Sequence, residues 1–384
     1  MKKVGVVTGT RAEYGLLKSI IQSIEKDDEL EACVIVTGMH LEERFGTTCK
    51  EIEKDKVHIS YKIPMSLYSD SPEVIVHSMG IELGGFADVL NEAQLDMLVV
   101  LGDRYEIITA ALAAIMFRIP IAHIHGGELT EGAVDDAIRH AITKMSALHF
   151  VSTEEYAKRV IQMGEQPDKV FCVGAPGIEN IKKIPLLSRQ ELIEKFGRQF
   201  SKDYIMVTYH PVTLENVASE QRFENLLQVL EKHKEYNYVL TYANADTGGE
   251  SINRMIEEYV NSNSNSVAFR SMGQEGYLSA LKYCKAVVGN SSSGIIEAPT
   301  FHVPTVNIGE RQTGRVKAKT VIDCGNTSKE IEQAFMQAVG KEFQIICQNS
   351  HNPYEGSQTA ATIVKEIKKF LDTAQTIKKK FYSI

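Results

Sequence analysis

Short apolar runs rich in valine and isoleucine recur along this chain, separated by stretches of helical periodicity. That alternation restricts the fold more than any other feature. In the first part the runs fall at 4–8, 32–37, 97–101, 119–123, 148–152 and 170–174, with amphipathic stretches at 14–25, 74–92, 107–117 and 154–163. A strand that is apolar along its whole length must be covered on both faces, which is the condition of a parallel sheet between helices. The pattern pauses around Ile184-Pro185-Leu186-Leu187-Ser188-Arg189, is followed by a short charged helix to about Gly197, restarts at 204–208 and continues at 238–241, 267–270, 286–289, 305–308 and 321–324. The expected fold class is therefore α/β, as two Rossmann-like lobes with parallel sheets. The N-terminal lobe is placed at 1–180, a linker at 181–200, the C-terminal lobe at 201–359, and a helix at 360–384 that packs back across the lobes with its lysine-rich end solvated.

At 384 residues two domains are the default, because a single core rarely grows that large. The balance of 42 basic against 50 acidic side chains, −8 overall, argues against a general nucleic-acid binder. No stretch reaches the ~20 apolar residues that span a bilayer, and the start of the chain reads as a strand and not a signal peptide. The six cysteines are scattered without a Cys-x-x-Cys pair, so reduced thiols in a cytoplasmic protein are expected and structural zinc is not.

In an open α/β sheet, ligands bind beyond the carboxyl ends of the strands, so the residues just after each run matter most. Thr8-Gly9-Thr10-Arg11-Ala12-Glu13 follows the first run and opens a helix, where Arg11 suits an anion; a surface pair with Glu13 is the plainer account. It is not Gly-x-Gly-x-x-Gly, so no dinucleotide cofactor is expected. Gly102-Asp103-Arg104 and His123-Ile124-His125-Gly126-Gly127-Glu128 bring carboxylates, imidazoles and a guanidinium to neighbouring strand ends. In Asp135-Asp136-Ala137-Ile138-Arg139-His140 the spacing of four pairs Asp135 with Arg139 and Asp136 with His140 on a helix start, and one aspartate is a candidate acid or base. His210 precedes Pro211, which disfavours helix and keeps it at a strand end. Asn244 and Asp246 end the next run, where turn chemistry explains them equally well. Gly289-Asn290-Ser291-Ser292-Ser293-Gly294 offers hydroxyls and N–H groups to a diphosphate without a metal, ahead of a helix expected near Gly294. A simple N-cap would need only one of those serines. Glu297 is placed for ribose hydroxyls, and Arg311 adds charge at the same edge.

Together these segments resemble the UDP-N-acetylglucosamine 2-epimerase family, above all its hydrolysing branch in sialic-acid biosynthesis. The matching pieces run in order over nearly the whole chain: Gly9-Thr10-Arg11-Ala12-Glu13-Tyr14, Thr37-Gly38-Met39-His40-Leu41, Gly102-Asp103-Arg104, His123-x-His125-Gly126-Gly127-Glu128, Asp135-Asp136-x-Ile138-Arg139-His140, Val207-x-x-His210-Pro211, Asn244-x-Asp246-x-Gly248, Gly289-Asn290-Ser291-Ser292 and Gly309-x-Arg311-Gln312. The resemblance implies a GT-B-type fold with its active site in the interlobe cleft, a homodimer, a UDP-sugar partner, and no cofactor. It implies anti elimination of UDP to a 2-acetamidoglucal, then water addition to release N-acetylmannosamine. By the same match Asp103, His125, Asp135 and His210 carry the proton chemistry or its electrostatics. Arg11, His40, Arg104, Arg139, Asn244, Asp246, Ser291, Ser292, Glu297 and Arg311 bind substrate. Many relatives carry glutamate where this chain has His125; the alternative is that Glu128 or Asp136 takes the proton. Three other activities compete with this one: the same reaction on a 2,4-diacetamido-trideoxy sugar nucleotide, a non-hydrolysing epimerase, and a GT-B glycosyltransferase. A non-catalytic UDP-sugar sensor is the rival from outside enzymology.

Overall fold

The computed structural model describes residues 1–43, 46–69, 71–130, 134–211, 219–243, 249–373 and 377–383. They form two compact units, the first from 1–129, 134–180 and 356–383, the second within 181–355.

The first unit is a seven-stranded sheet: β1 (Lys2–Thr8), β2 (Leu30–Thr37), β3 (Ile59–Ile63), β4 (Met97–Leu101), β5 (Ile121–Ile124), β6 (Leu148–Val151) and β7 (Val170–Cys172). Their order is β3-β2-β1-β4-β5-β6-β7, and every pairing is parallel. The order reverses between β1 and β4, so the helices leaving those strands cover opposite faces and a crevice opens at their carboxyl ends. Packing follows from the two-residue period of a strand. Met97, Val99 and Leu101 of β4 enter one core, whereas Leu98 and Val100 enter the other. Each such side chain contributes roughly 1.5–3 kcal/mol on burial.

Helix Arg11–Glu25 covers the first core with Tyr14, Leu17, Ile20, Ile21 and Ile24, and a capping box between Thr10 and Glu13 starts it. Helix Thr359–Leu371 adds Ile363, Val364, Ile367 and Phe370 to that same core. The C-terminal helix is thus part of the first unit. The basic end beyond it is not simply solvated as expected. Lys379 Nζ donates to the carboxylate of Glu165 (2.5 Å) and to the carbonyls of Lys144 and Ser146, while Lys378 and Lys380 stay exposed. The attraction is electrostatic: Glu165 is 2 % exposed and needs cationic donors.

The second unit repeats the plan with six strands: β8 (Tyr204–Thr208), β9 (Asn237–Thr241), β10 (Ser266–Phe269), β11 (Ala286–Gly289), β12 (Thr305–Ile308) and β13 (Val321–Cys324). Their order is β10-β9-β8-β11-β12-β13, again parallel throughout. The reversal now lies between β8 and β11. One core gathers Ile205, Val207, Leu240, Val288, Val306 and Ile308 under helices carrying Phe223, Leu226, Ile252 and Phe335.

Two further features depart from the expected plan. The strand Ile59–Ile63 was not anticipated: Ile-Ser-Tyr-Lys-Ile is a half-exposed edge strand whose polar residues hide the apolar signal. The stretch 181–200, expected as a linker, groups with the second unit; the short charged helix expected within it spans Arg189–Phe196 and is started by a Ser188/Glu191 capping box. Among the described residues no helix is long and apolar enough to cross a membrane.

Candidate active site

The polar residues of the first unit collect where the strand order reverses. Asp103 and Arg104 leave β4, and His125 leaves β5. Helix Val134–Met145 brings Asp135, Asp136, Arg139 and His140. Arg139, only 4 % exposed, is the hub. Its Nη2 donates to Asp103 Oδ2, and its Nη1 lies 3.7 Å from Glu128 Oε2. Glu128 is also buried; its Oε1 accepts from Ser152 Oγ (2.9 Å) and lies 2.9 Å from His125 Nδ1. His125 Nε2 is buried and has no hydrogen-bond partner among the described residues. His125 sits at φ +66°, a left-handed conformation that residues with side chains seldom adopt and that concentrates at functional sites.

Asp135 and Asp136 divide as their helix geometry demands. Asp136 pairs with His140 at 3.5 Å, the expected i,i+4 partner. Asp135 does not pair with Arg139, which turns instead toward Asp103 and Glu128. Asp135 lies exposed at the helix start, where desolvation and the nearby Asp103 charge push its carboxyl above the ordinary aspartate range. His123, fully buried, braces the edge: its Nε2–H donates to the Gly102 carbonyl at 2.8 Å. Burial holds its pKa down at about 3, so the ring is neutral and Nδ1 is left to accept the Thr143 hydroxyl, 3.2 Å away.

Beneath β1 and β4 lies a group that the sequence patterns did not disclose. Glu13, Glu82 and Glu106 are all buried. Glu106 takes a forked pair from Arg104, Nε to Oε2 at 3.1 Å and Nη2 to Oε1 at 2.8 Å. Glu13 Oε2 accepts the backbone N–H of Gly9 and of Thr10, and Glu82 accepts the Thr37 hydroxyl at 2.7 Å. Burial, with the charge of Glu106 nearby, raises Glu13 to about 8 and Glu82 to about 9. Arg104 is therefore committed on one side to Glu106. Glu13 stood in the turn after the first run, but as a partner for Arg11; Glu82 and Glu106 lie inside helices with no pattern to mark them.

Two expected binding residues are held differently from the expectation. His40 is wholly buried, its Nε2 3.0 Å from Thr8 Oγ1 and its Nδ1 2.8 Å from Thr48 Oγ1. Desolvation lowers its pKa to about 4, so a neutral ring props the loop after β2 and presents nothing to a ligand. Arg11 is exposed and pairs with Glu51 at 3.0 Å rather than with Glu13, which is occupied at the turn.

In the second unit His210 leaves β8 beside Asn290, which leaves β11. The two lock reciprocally: the His210 N–H donates to Asn290 Oδ1 (2.7 Å), and Asn290 Nδ2 donates to the His210 carbonyl (2.8 Å). Gly289 makes this approach possible, since a side chain there would lie 1.9 Å from the Thr208 carbonyl oxygen. The Asn290 carbonyl in turn accepts Arg311 Nη1 (3.1 Å) and Gln312 Nε2 (2.9 Å). The helix expected near Gly294 spans Ser292–Ile296, a single short turn capped by Ser291. Ser293 donates to Glu297 at 2.5 Å and accepts from Tyr277. Burial raises the Glu297 carboxyl, and its partner is Ser293. Asn244 and Asp246 lie outside the described residues. Among those described, no group of three or more His, Cys, Asp or Glu residues is arranged to hold a metal ion.

Two α/β units of Rossmann order, each gathering polar side chains at its point of reversal, define an enzyme fold of the GT-B type. The structure of UDP-GlcNAc 2-epimerase from Neisseria meningitidis bound to UDP-GlcNAc has the same fold, with a TM-score of 0.83 at 20 % identity over 96 % of this chain and 100 % of that one. The family model for UDP-N-acetylglucosamine 2-epimerase matches residues 22–368, and the chain belongs to that family. It is 40 % identical to the GDP/UDP-N,N'-diacetylbacillosamine 2-epimerase (hydrolyzing) of Campylobacter jejuni, covering 89 % of each chain. It is 39 % identical to polysialic acid biosynthesis protein P7 of Escherichia coli, covering 100 % of this chain and 98 % of that one.

The buried groups set a pH dependence of stability. Glu13 and Glu82 keep protons in the folded state that the unfolded chain releases above about 4.5. Their contribution is complete below that pH and is lost as pH rises through about 8 and 9. His40 and His123 act at the other end, contributing above about 6.5 and losing it as pH falls through about 4 and 3. Between about 4.5 and 6.5 the two effects oppose each other, so the thermal midpoint should be highest in that acidic window and decline on both sides of it. In Glu82→Gln the alkaline decline should be shallower; an unchanged slope in a pH series of melting curves refutes this assignment.

Proposed function

We propose that this protein is a hydrolysing 2-epimerase of a UDP-2-acetamido sugar, with UDP-N-acetylglucosamine as substrate and N-acetylmannosamine and UDP as products. The observation that carries this reading is the buried chain from Asp103 through Arg139 and Glu128 to His125, which ends on an unpartnered imidazole nitrogen. Such a nitrogen suits the removal of a proton from carbon near neutral pH.

The chemistry has two stages. In the first, the C1–O bond breaks and its electron pair leaves with UDP, while the C2 proton goes to His125 and a C1=C2 double bond forms. Charge growing on the departing diphosphate calls for positive and N–H groups; Arg311, His210 and the Ser291-Ser292 hydroxyls and N–H groups are assigned to it. Asp103, fixed by Arg139, stabilises the positive charge that develops at the anomeric carbon. In the second stage Asp135 gives a proton to C2 from the opposite face while a water oxygen bonds to C1 and releases its proton to solvent; Asp135 then regains a proton from solvent and His125 gives up the one it took. The place of Asp135 at the start of the helix beside Asp103, where local desolvation and the Asp103 charge raise its carboxyl, is what supports that role. Asp136, paired with His140, is the less available of the two aspartates.

One observation favours a second substrate. The Campylobacter jejuni relative is a diacetylbacillosamine epimerase, so UDP-2,4-diacetamido-2,4,6-trideoxyglucose is the alternative to test beside UDP-N-acetylglucosamine. A homodimer belongs to this reading too. It is supported by exposed apolar residues on two neighbouring helices of the first unit, Val76 and Leu83 on Pro72–Ala93 with Leu112 and Met116 on Tyr105–Met116.

Proton NMR of the reaction in deuterium oxide should show UDP and free N-acetylmannosamine carrying deuterium at C2. UDP-N-acetylmannosamine as the product would indicate a non-hydrolysing epimerase, and faster turnover of the diacetamido sugar would reassign the substrate. His125→Ala should lower kcat by at least ~100-fold, in the range of a lost general base, while UDP binding by calorimetry stays near wild type. Near-normal kcat in that variant refutes the assignment of the base. Sedimentation should give twice the chain mass; a monomer at assay concentration removes the dimer from the reading.

A further inference from the structure

The reading above makes His125 the base but leaves two ring nitrogens and a neighbouring carboxylate to share the task. We infer that Glu128 is a positioning residue: it holds His125 in the Nδ1–H tautomer, and Nε2 is the nitrogen that receives the C2 proton. This inference rests on the proposed elimination and adds to it the atom that performs it.

Each side of the ring argues for that assignment. Glu128 Oε1 lies 2.9 Å from Nδ1, and an ionised carboxylate can only accept, so Nδ1 must carry a hydrogen. Glu128 faces donors on its other sides: Arg139 Nη1 stands 3.7 Å from Oε2, and Ser152 donates to Oε1 at 2.9 Å. A carboxylate 3 % exposed and engaged by a hydroxyl, an imidazole and a guanidinium is poorly placed to take the substrate proton itself. On the far side, Nε2 is buried without a hydrogen-bond partner among the described residues. The opposite tautomer would set two lone pairs against each other at Nδ1 and bury an N–H with no acceptor at Nε2. The observed arrangement avoids both.

The backbone is shaped to make this pair. His125 and Glu128 are three residues apart in a turn, not in a helix, and they meet because His125 takes φ +66° and Gly127 takes φ +76°. A side chain at Gly127 would lie 2.6 Å from the Tyr156 carbonyl oxygen. The His125 N–H is tied to the Phe150 carbonyl at 3.0 Å, which anchors the strained residue to β6. When Nε2 takes the C2 proton, the imidazolium that forms faces Glu128 directly. A carboxylate there orients the ring and stabilises its charge without itself becoming protonated, as in hydrolase triads.

The test uses the full-length protein with 15N-labelled histidine, the His125 signals being assigned by their loss in His125→Gln. In the resting protein His125 should show a protonated Nδ1 and a bare Nε2. In Glu128→Gln the ring should lose that preference, and kcat should fall about 10²- to 10⁴-fold, the range of lost base catalysis or a wrong tautomer. A role exercised through His125 leaves KM near wild type. Glu128→Asp should recover part of kcat, and Ser152→Ala should show a smaller loss in the same direction. An Nε2–H tautomer in the resting protein overturns the inference, as does full kcat in Glu128→Gln. Because the tautomer is read without substrate, it decides the hold of Glu128 even if no UDP-sugar is turned over, an outcome that would sink the functional reading alone. It also decides the matter if Glu128→Gln fails to fold.

Discussion

One buried guanidinium orders the polar edge of the first unit. Arg139 lies in an interior where an unpaired charge is expensive, and it answers that cost by drawing Asp103 from the end of β4 and Glu128 from the turn after β5. The two carboxylates come from different strands, so the arginine fixes the spacing between them. His125 inherits its orientation from Glu128, and His123 holds the Gly102 carbonyl beside them. Take away the charge at Arg139 and both carboxylates lose the cation they share.

The neighbouring glutamates resolve the same cost another way. Glu106 has its own cation in Arg104 and is held in a fork. Glu13 and Glu82 have no such partner and stay protonated across the neutral range. Two carboxyl groups that keep their protons thus lie close to a third that holds a guanidinium. Local charge supply decides which is which. The second unit builds its edge differently, with amide locks between His210 and Asn290 and with Arg311 drawn onto the Asn290 carbonyl. Neutral hydrogen bonds there keep the strand ends of β8 and β11 together.

Much of this was legible in the chain, and the misses share a cause. The apolar strands could be read because a strand buried on both faces must be apolar throughout, and the motif residues could be read because they follow those strands. Ile59–Ile63 escaped because an edge strand needs no such run. The anchoring of Lys379 escaped because its partner, Glu165, is more than two hundred residues away in the chain. Spacing on the helix start gave Asp136 its partner His140 but misled for Arg139, whose nearer attraction lies across the sheet edge. The motif match placed His40 at a ligand, yet burial between Thr8 and Thr48 made its ring a prop.

The sequence by itself determined two parallel α/β units, the strand ends at which chemistry is placed, and the residue types found there. These follow from local periodicity and from the position of polar residues after apolar runs. Only the tertiary structure decided which charges pair, which carboxyls keep their protons, and which nitrogen of His125 is left bare. Those depend on burial and on distances between residues far apart in the chain, and no local pattern encodes either.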